Sequence, residues 1–212
     1  MLQENLKSNL TEKAKTSEHS KVYLYPEAYF KIIYHSLMYA NRLRDKTEWL
    51  EVIGFLSGLV KKDETSGIEV IHVTKVWPIS HGDAVSVSID NFGKILHKII
   101  VKLSQKDETI IGWYHSHPSF GLFMSQTDYE TQTSYQRLYN KAIALVFDHS
   151  LLSSIHSGLE AYRLQSDFKT FEKIPIHFTH NYKLQLNQSM FELFMNKIIS
   201  KNYLHELDAS HD

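Results

Sequence analysis

Cysteine is absent from the 212-residue chain. That excludes disulfides, thiolate-ligated zinc and any thiol nucleophile. An excess of either charge is also missing: 23 basic and 24 acidic residues leave no global field to draw the chain to nucleic acid or to an anionic membrane, and neither is expected as a partner. No window approaches the ~18 uninterrupted apolar residues of a spanning helix. The first 20 residues are polar with mixed charge and lack the apolar run of a signal peptide, so residues 1–21 read as a flexible tail of a soluble, cytoplasmic protein. Internal repeats and low-complexity tracts are lacking too. What remains is ordinary globular material: 42% hydrophobic, 12% aromatic and 22% charged residues suffice for a buried core, and the length suits one domain with extensions.

Helical spacing of Tyr29, Ile32, Ile33 and Leu37 after Pro26 predicts a helix from Pro26 to about Lys46. Glu51–Val60 and Ile68–Val76 are rich in β-branched residues and separated by a polar connection, as paired strands are. Residues 79–90 mix Gly, Ser, His and Asp and read as an exposed loop ending in the Val85–Ile89 alternation. A helix over Phe92–Leu103, a strand from Thr109 into His117, a polar helix over Ser125–Leu138 and strands at Ala142–Phe147 and Leu159–Leu164 follow. Helices and strands alternate, which predicts an α/β fold with a central mixed sheet flanked by helices. Beyond Phe168 the pattern breaks until Leu184–Tyr203, where Met190, Leu193, Phe194, Ile198 and Ile199 mark an amphipathic helix. The expected organisation is a tail over 1–21, a domain over 22–165 and a C-terminal helical extension over 166–212.

The chemistry concentrates in Gly112-Trp-Tyr-His-Ser-His-Pro118, Ser125 and Asp128. On a strand, residues two apart share a face, so His115 and His117 present two imidazoles to one ion while Ser116 points away. Asp128 follows a loop that can fold its carboxylate back as a third ligand. Three protein ligands without cysteine suit an open, catalytic zinc site better than a closed structural one. An activated water then needs a base, and Glu51, opening a strand next to Gly54 and Gly58, is the candidate. Each residue has a plainer explanation. A lone His-x-His is more often a pair of half-buried histidines, Ser125-x-x-Asp128 is a good helix cap, and Glu51 alone would be a surface strand residue paired with a lysine. It is the presence of all of them in register that favours a metal.

Glu51-x-x-Gly54, His115-Ser-His-Pro118 and Ser125-x-x-Asp128 together resemble the motif of the JAMM (MPN-plus) metalloproteases. Phe120-Gly121 and Pro78-x-Ser80-x-Gly82 leading into Val85-Ser-Val87 are similar to the deubiquitinase of the proteasome lid. The resemblance covers roughly residues 22–165. It implies an MPN core, one Zn2+ on His115, His117 and Asp128, Glu51 as general base and Ser125 as oxyanion donor. It further implies that Ser80, Gly82, Val85, Ser86, Val87 and Phe120 meet the extended tail of ubiquitin or a ubiquitin-like protein. The implied partners are such conjugates and a proteasome-like assembly or second MPN subunit, and the implied activity is zinc-dependent isopeptide hydrolysis. Catalytically silent MPN scaffolds and members acting on small peptides or sulfur-carrier conjugates are the other readings. Ser119, Leu122, Phe123 and Met124 depart from the Gly, Cys, Trp and Leu most often found in the eukaryotic lid enzyme, leaving the ligand set intact.

Overall fold

Residues 15–41, 43–82, 92–153 and 155–179 are described by a computed structural model of the chain. In chain order the elements are β1 (Lys15–Thr16), β2 (Ser20–Leu24), α1 (Pro26–Tyr39), β3 (Glu51–Lys62), β4 (Glu69–Gly82), α2 (Phe92–Ser104), β5 (Thr109–Ser116), α3 (Gln126–Leu138), β6 (Ile143–Phe147), β7 (Leu159–Leu164), β8 (Phe171–Ile174) and β9 (Ile176–Phe178). Nine strands form one mixed sheet in the order β1-β8-β7-β6-β5-β3-β4-β2-β9. This is the α/β arrangement that the alternation of elements predicts. Among the described residues no helix is long and apolar enough to cross a membrane.

The two ends of the sheet converge, because β8 and β9 are separated only by Pro175 yet pair at opposite ends of the strand order. Arg163 on β7 ties this seam together, with Nη1 2.5 Å from Glu69 on β4 and Nη2 donating to Ser20 Oγ on β2 at 2.6 Å and to Glu172 on β8 at 3.0 Å. Inside lies α1, whose Tyr29, Ile32, Ile33 and Leu37 join Val22, Leu24, Leu56, Ile71, Ile111 and Leu145 of the strands in the largest apolar cluster. Burial of that stripe is what holds the helix. Pro26 opens it, and at its end the Asn41 side chain donates to Leu37 O at 2.7 Å, capping a carbonyl. The helix therefore stops at Tyr39 and not near Lys46 as the spacing predicts, since a cap in place satisfies the last turn. On the other face α2 packs Ile99 and Leu103 against Phe55 and Ile79, and α3 lies over Trp113 and Tyr162.

Several expectations are corrected. The loop predicted from Ile79 is strand as far as Gly82, where β4 pairs with the start of β3: Glu51 opposite Gly82 and Ile53 opposite Ser80. A register shift between Ile53 and Gly54 lets Pro78, which has no N–H to give, sit within the strand, and the ladder then resumes. The strands β1 and β2 begin before residue 21, and β8 and β9 lie past residue 165, so the sheet draws on both stretches assigned to a tail and an extension. Their two to five residues carry too little pattern to stand out, and only partners distant in sequence make them strands. The segment 83–91 and the predicted C-terminal helix over 184–203 lie outside the described residues.

Candidate metal centre

Strand β5 pairs antiparallel with β3, setting Ile53 opposite His115 and Gly54 opposite Tyr114. Continued by two residues, the same register puts Glu51 opposite His117, and residues facing one another across a ladder project to one side of the sheet. The Val52 N–H donates to Ser116 Oγ at 3.0 Å, which anchors this end, and strand alternation puts Ser116 on the face opposite the two histidines. Gly54 is required here, because a Cβ would collide with the Trp77 carbonyl and the Tyr114 ring.

The third group arrives from α3. Ser125 is its N-cap, and Asp128 closes a capping box: Asp128 N–H donates to Ser125 Oγ at 3.2 Å, while Asp128 Oδ2 accepts from Ser125 N–H and Ser125 Oγ, each at 2.7 Å. The cap thus turns the carboxylate toward the histidines. Nε2 of His115 lies 3.0 Å from Nε2 of His117, 3.2 Å separates the former from Asp128 Oδ1, and 3.5 Å the latter from Asp128 Oδ2. All three residues are buried, and among the described residues they form the one group of at least three His, Asp or Glu able to hold a metal ion.

Chemistry of the donor set favours a cation. His117 Nδ1 lies 3.2 Å from Gly121 O, an acceptor, so the ring proton belongs on Nδ1 and the Nε2 lone pair faces inward. Two imidazole nitrogens and a carboxylate oxygen in such proximity repel unless a proton or a metal ion lies among them. Zinc with bonds of about 2.0–2.1 Å at tetrahedral angles spaces its ligand atoms about 3.3–3.4 Å apart. His115 Nε2 lies near that spacing from both His117 Nε2 (3.0 Å) and Asp128 Oδ1 (3.2 Å), while the 3.5 Å from His117 Nε2 runs to the other carboxylate oxygen, Oδ2. The residues fit the ion, and with three protein ligands a fourth position stays open.

The local charges agree. Burial alone would raise the Asp128 carboxyl, but His115, His117 and Ser125 hold it far below the ordinary carboxylate range. Burial opposes charge on His117, yet the adjacent Asp128, with Glu51, keeps its pKa above the usual value. Glu51 is shifted upward, first by burial and further by Asp128, against the pull of His117 and His115. A carboxyl raised in this way beside an ion site is suited to taking and returning a proton.

Of the other residues singled out, Ser80 and Gly82 line the strand edge beside Ile53 and Glu51, and the position a Cβ would take on Gly82 meets nothing within 4 Å. Phe120 is 69% exposed at the tip of the loop after His117. Val85, Ser86 and Val87 fall outside the described residues. Sequence reasoning missed three residues around the site. Trp113 stacks on His115 with ring centres 4.6 Å apart and donates from Nε1 to Gln132 on α3 at 2.8 Å. The Tyr162 hydroxyl shares its single proton between the Glu160 carboxylate and Leu122 O, the latter at 2.9 Å. Asp148, which is buried, accepts from the backbone of the loop after His117. A polar residue ending a strand of unbroken apolar residues was the available signal for Asp148.

Known proteins are similar to the chain in sequence. The chain is 41% identical over 100 residues to the 26S proteasome non-ATPase regulatory subunit 14 of Dictyostelium discoideum, covering 47% of this chain and 31% of that protein. It is 35% identical over 115 residues to the 26S proteasome regulatory subunit RPN11 of Encephalitozoon cuniculi, covering 54% and 38%. With the ubiquitin carboxyl-terminal hydrolase RPN11 of Saccharomyces cerevisiae the identity is 32% over 117 residues, covering 54% and 37%. The match thus spans about a third of the length of these relatives. Residues 17–141, more than half of the chain, match the family described as JAB1/Mov34/MPN/PAD-1 ubiquitin protease. The chain is a member of that family, with the MPN fold.

Proposed function

We propose that the protein is a zinc-dependent isopeptidase that removes ubiquitin or a ubiquitin-like modifier from protein conjugates. The observation that carries this reading is the convergence of His115, His117 and Asp128 at 3.0–3.5 Å beside the upward-shifted Glu51. His115, His117 and Asp128 would hold the zinc, which when bound would supply Lewis acidity and a water acidic enough to ionise near neutral pH. Glu51 would take a proton from the attacking water and hand it to the departing lysine amine, a transfer helped by a carboxyl whose pKa burial raises above the usual value. Ser125 donates its hydroxyl to the carbonyl oxygen as charge develops there, which requires the proton now directed at Asp128 Oδ2 to turn. His117, with Nδ1–H held on Gly121 O, keeps one tautomer throughout.

The substrate tail runs between Phe120 and the Ser80–Gly82 edge, and Val85, Ser86 and Val87, which lie outside the described residues, are proposed as further contacts. An extended peptide beside the end of β4 would add as a strand, and the open space at Gly82 next to Glu51 admits a small-residue tail. The names of the relatives support a proteasome-like assembly as partner; a second MPN subunit and a cytoplasmic site of action belong to the same proposal.

The test combines zinc content with cleavage of a ubiquitin fusion. About one zinc per chain is expected in the wild type, with cleavage lost on chelation. Glu51→Gln should retain zinc and lose roughly two to four orders of magnitude in rate. Undiminished cleavage by Glu51→Gln overturns the mechanism. A chain that takes up no zinc is a scaffold of the same fold.

A further inference from the structure

The geometry points to Asp148 as a positioning residue for the metal centre, acting through Gly121 on His117. The loop between His117 and Ser125 has left-handed backbone at Ser119 (φ 65°) and Gly121 (φ 91°), a conformation that needs outside support. Asp148, at the end of β6, provides it: Oδ1 accepts from Ser119 N–H at 3.1 Å and Oδ2 from Gly121 N–H at 2.8 Å. Oδ1 also accepts from Ser150 N–H at 2.8 Å, capping the short 3-10 turn His149–Leu151. Capping that turn would by itself explain an aspartate here. It does not explain why the carboxylate also gathers two amides from a loop almost 30 residues earlier.

Gly121 faces both ways. Its N–H is held by Asp148, and its carbonyl lies 3.2 Å from His117 Nδ1. The path from Asp148 through one residue, Gly121, to the imidazole sets the ring orientation and the tautomer that leaves Nε2 free for a metal. His115 has no such support: its Nδ1 is buried without a hydrogen-bond partner among the described residues, and the ring is held by stacking on Trp113. The Nδ1 side of His117 is held by the Asp148–Gly121 link, and its ring also lies against Phe123 with centres 4.7 Å apart. The carboxylate is fully engaged, since accepted hydrogen bonds hold its pKa below the ordinary value against the opposing effect of burial.

This inference rests on the zinc reading above, and its test separates the two. The full chain is titrated with Zn2+ against a chromophoric chelator, and with Co2+ followed by its visible absorption. Asp148→Asn, which must turn an NH2 toward one of the donors, should weaken Zn2+ affinity roughly 10–100-fold and alter the Co2+ band. Gly121→Ala reaches the same carbonyl without removing a buried carboxylate: the added methyl meets nothing within 4 Å, but the φ of 91° is strained for it. A like loss is expected there, and this variant decides the matter should Asp148→Asn fail to fold. Tyr162→Phe, which frees the Leu122 end of the same loop, should leave the Co2+ band as in the wild type. Wild-type affinity in both Asp148→Asn and Gly121→Ala overturns the inference alone, as does an equal loss in Tyr162→Phe, which would make Asp148 a general loop anchor. A wild type that binds no zinc overturns the metal reading and this inference with it.

Discussion

The helices on the two faces of the sheet are held by opposite means. Helix α1 buries Tyr29, Ile32, Ile33 and Leu37 in the main apolar cluster, whereas the residues that α3 buries are Asp128, Gln132 and Gln136, a polar stripe at a spacing of four. Gln132 accepts from Trp113 Nε1 and donates to Ala142 O and Gln136 Oε1, each at 2.8 Å; Gln136 accepts from Leu164 N–H at 2.6 Å and donates to Leu164 O at 3.0 Å. Apolar contact is proportional to area and tolerates small slides, while a hydrogen bond fails over a few tenths of an ångström. The apolar face supplies stability. The polar face fixes the register of α3, and so the place of Asp128 against the two histidines.

Substitutions on the two faces should separate these roles. Ile33→Ala is expected to cost about 2–5 kcal/mol of stability through the cavity it leaves, read from denaturant unfolding, while the folded protein binds zinc with wild-type affinity. Gln132→Met, similar in volume, strands Trp113 Nε1 and the Ala142 carbonyl and should cost about 1–3 kcal/mol. Zinc affinity should fall with it, since the ring stacked on His115 loses its anchor. If Ile33→Ala weakened zinc binding and Gln132→Met did not, the division of labour would be wrong.

The seam is a third case, polar like α3 but closer to solvent. Arg163 and Lys141 outweigh burial and hold the Glu69 carboxyl below its ordinary value of 4.5. A depressed pKa gives stability that is present above pH 4.5 and is lost as the pH falls through the folded value. Glu69→Gln should therefore cost roughly 1 kcal/mol at neutral pH and nothing in acid, with zinc affinity unchanged. Thermal unfolding followed from pH 7 to pH 3 checks this, and a constant difference across that range would refute it.

Legibility in the sequence followed the range of the contacts. The strand Leu159–Leu164, the alternation that aims His115 and His117, and the Ser125–Asp128 cap are local patterns, and each stands where its spacing predicts. The start of α3 needs only Ser125 and Asp128, three residues apart, to orient a ligand. By contrast, β4 runs past the expected loop start because β3 is alongside it, and β8 and β9 are strands only because β7, β1 and β2 lie beside them. Asp148 reads as the end of a strand until the fold brings Ser119 and Gly121 within 3.1 Å of its carboxylate.

By itself the sequence determined the chemistry available: no thiol, two imidazoles on one strand face, a capped carboxylate and a strand-opening glutamate. The tertiary structure alone decided their distances and the tautomer of His117, which arise from pairing of β3 with β5, from the buried glutamines and from Asp148. The reason is physical: strand alternation and helix caps are set by neighbours in the chain, whereas a metal-ligand spacing accurate to tenths of an ångström requires directional bonds between segments that meet only in the folded state.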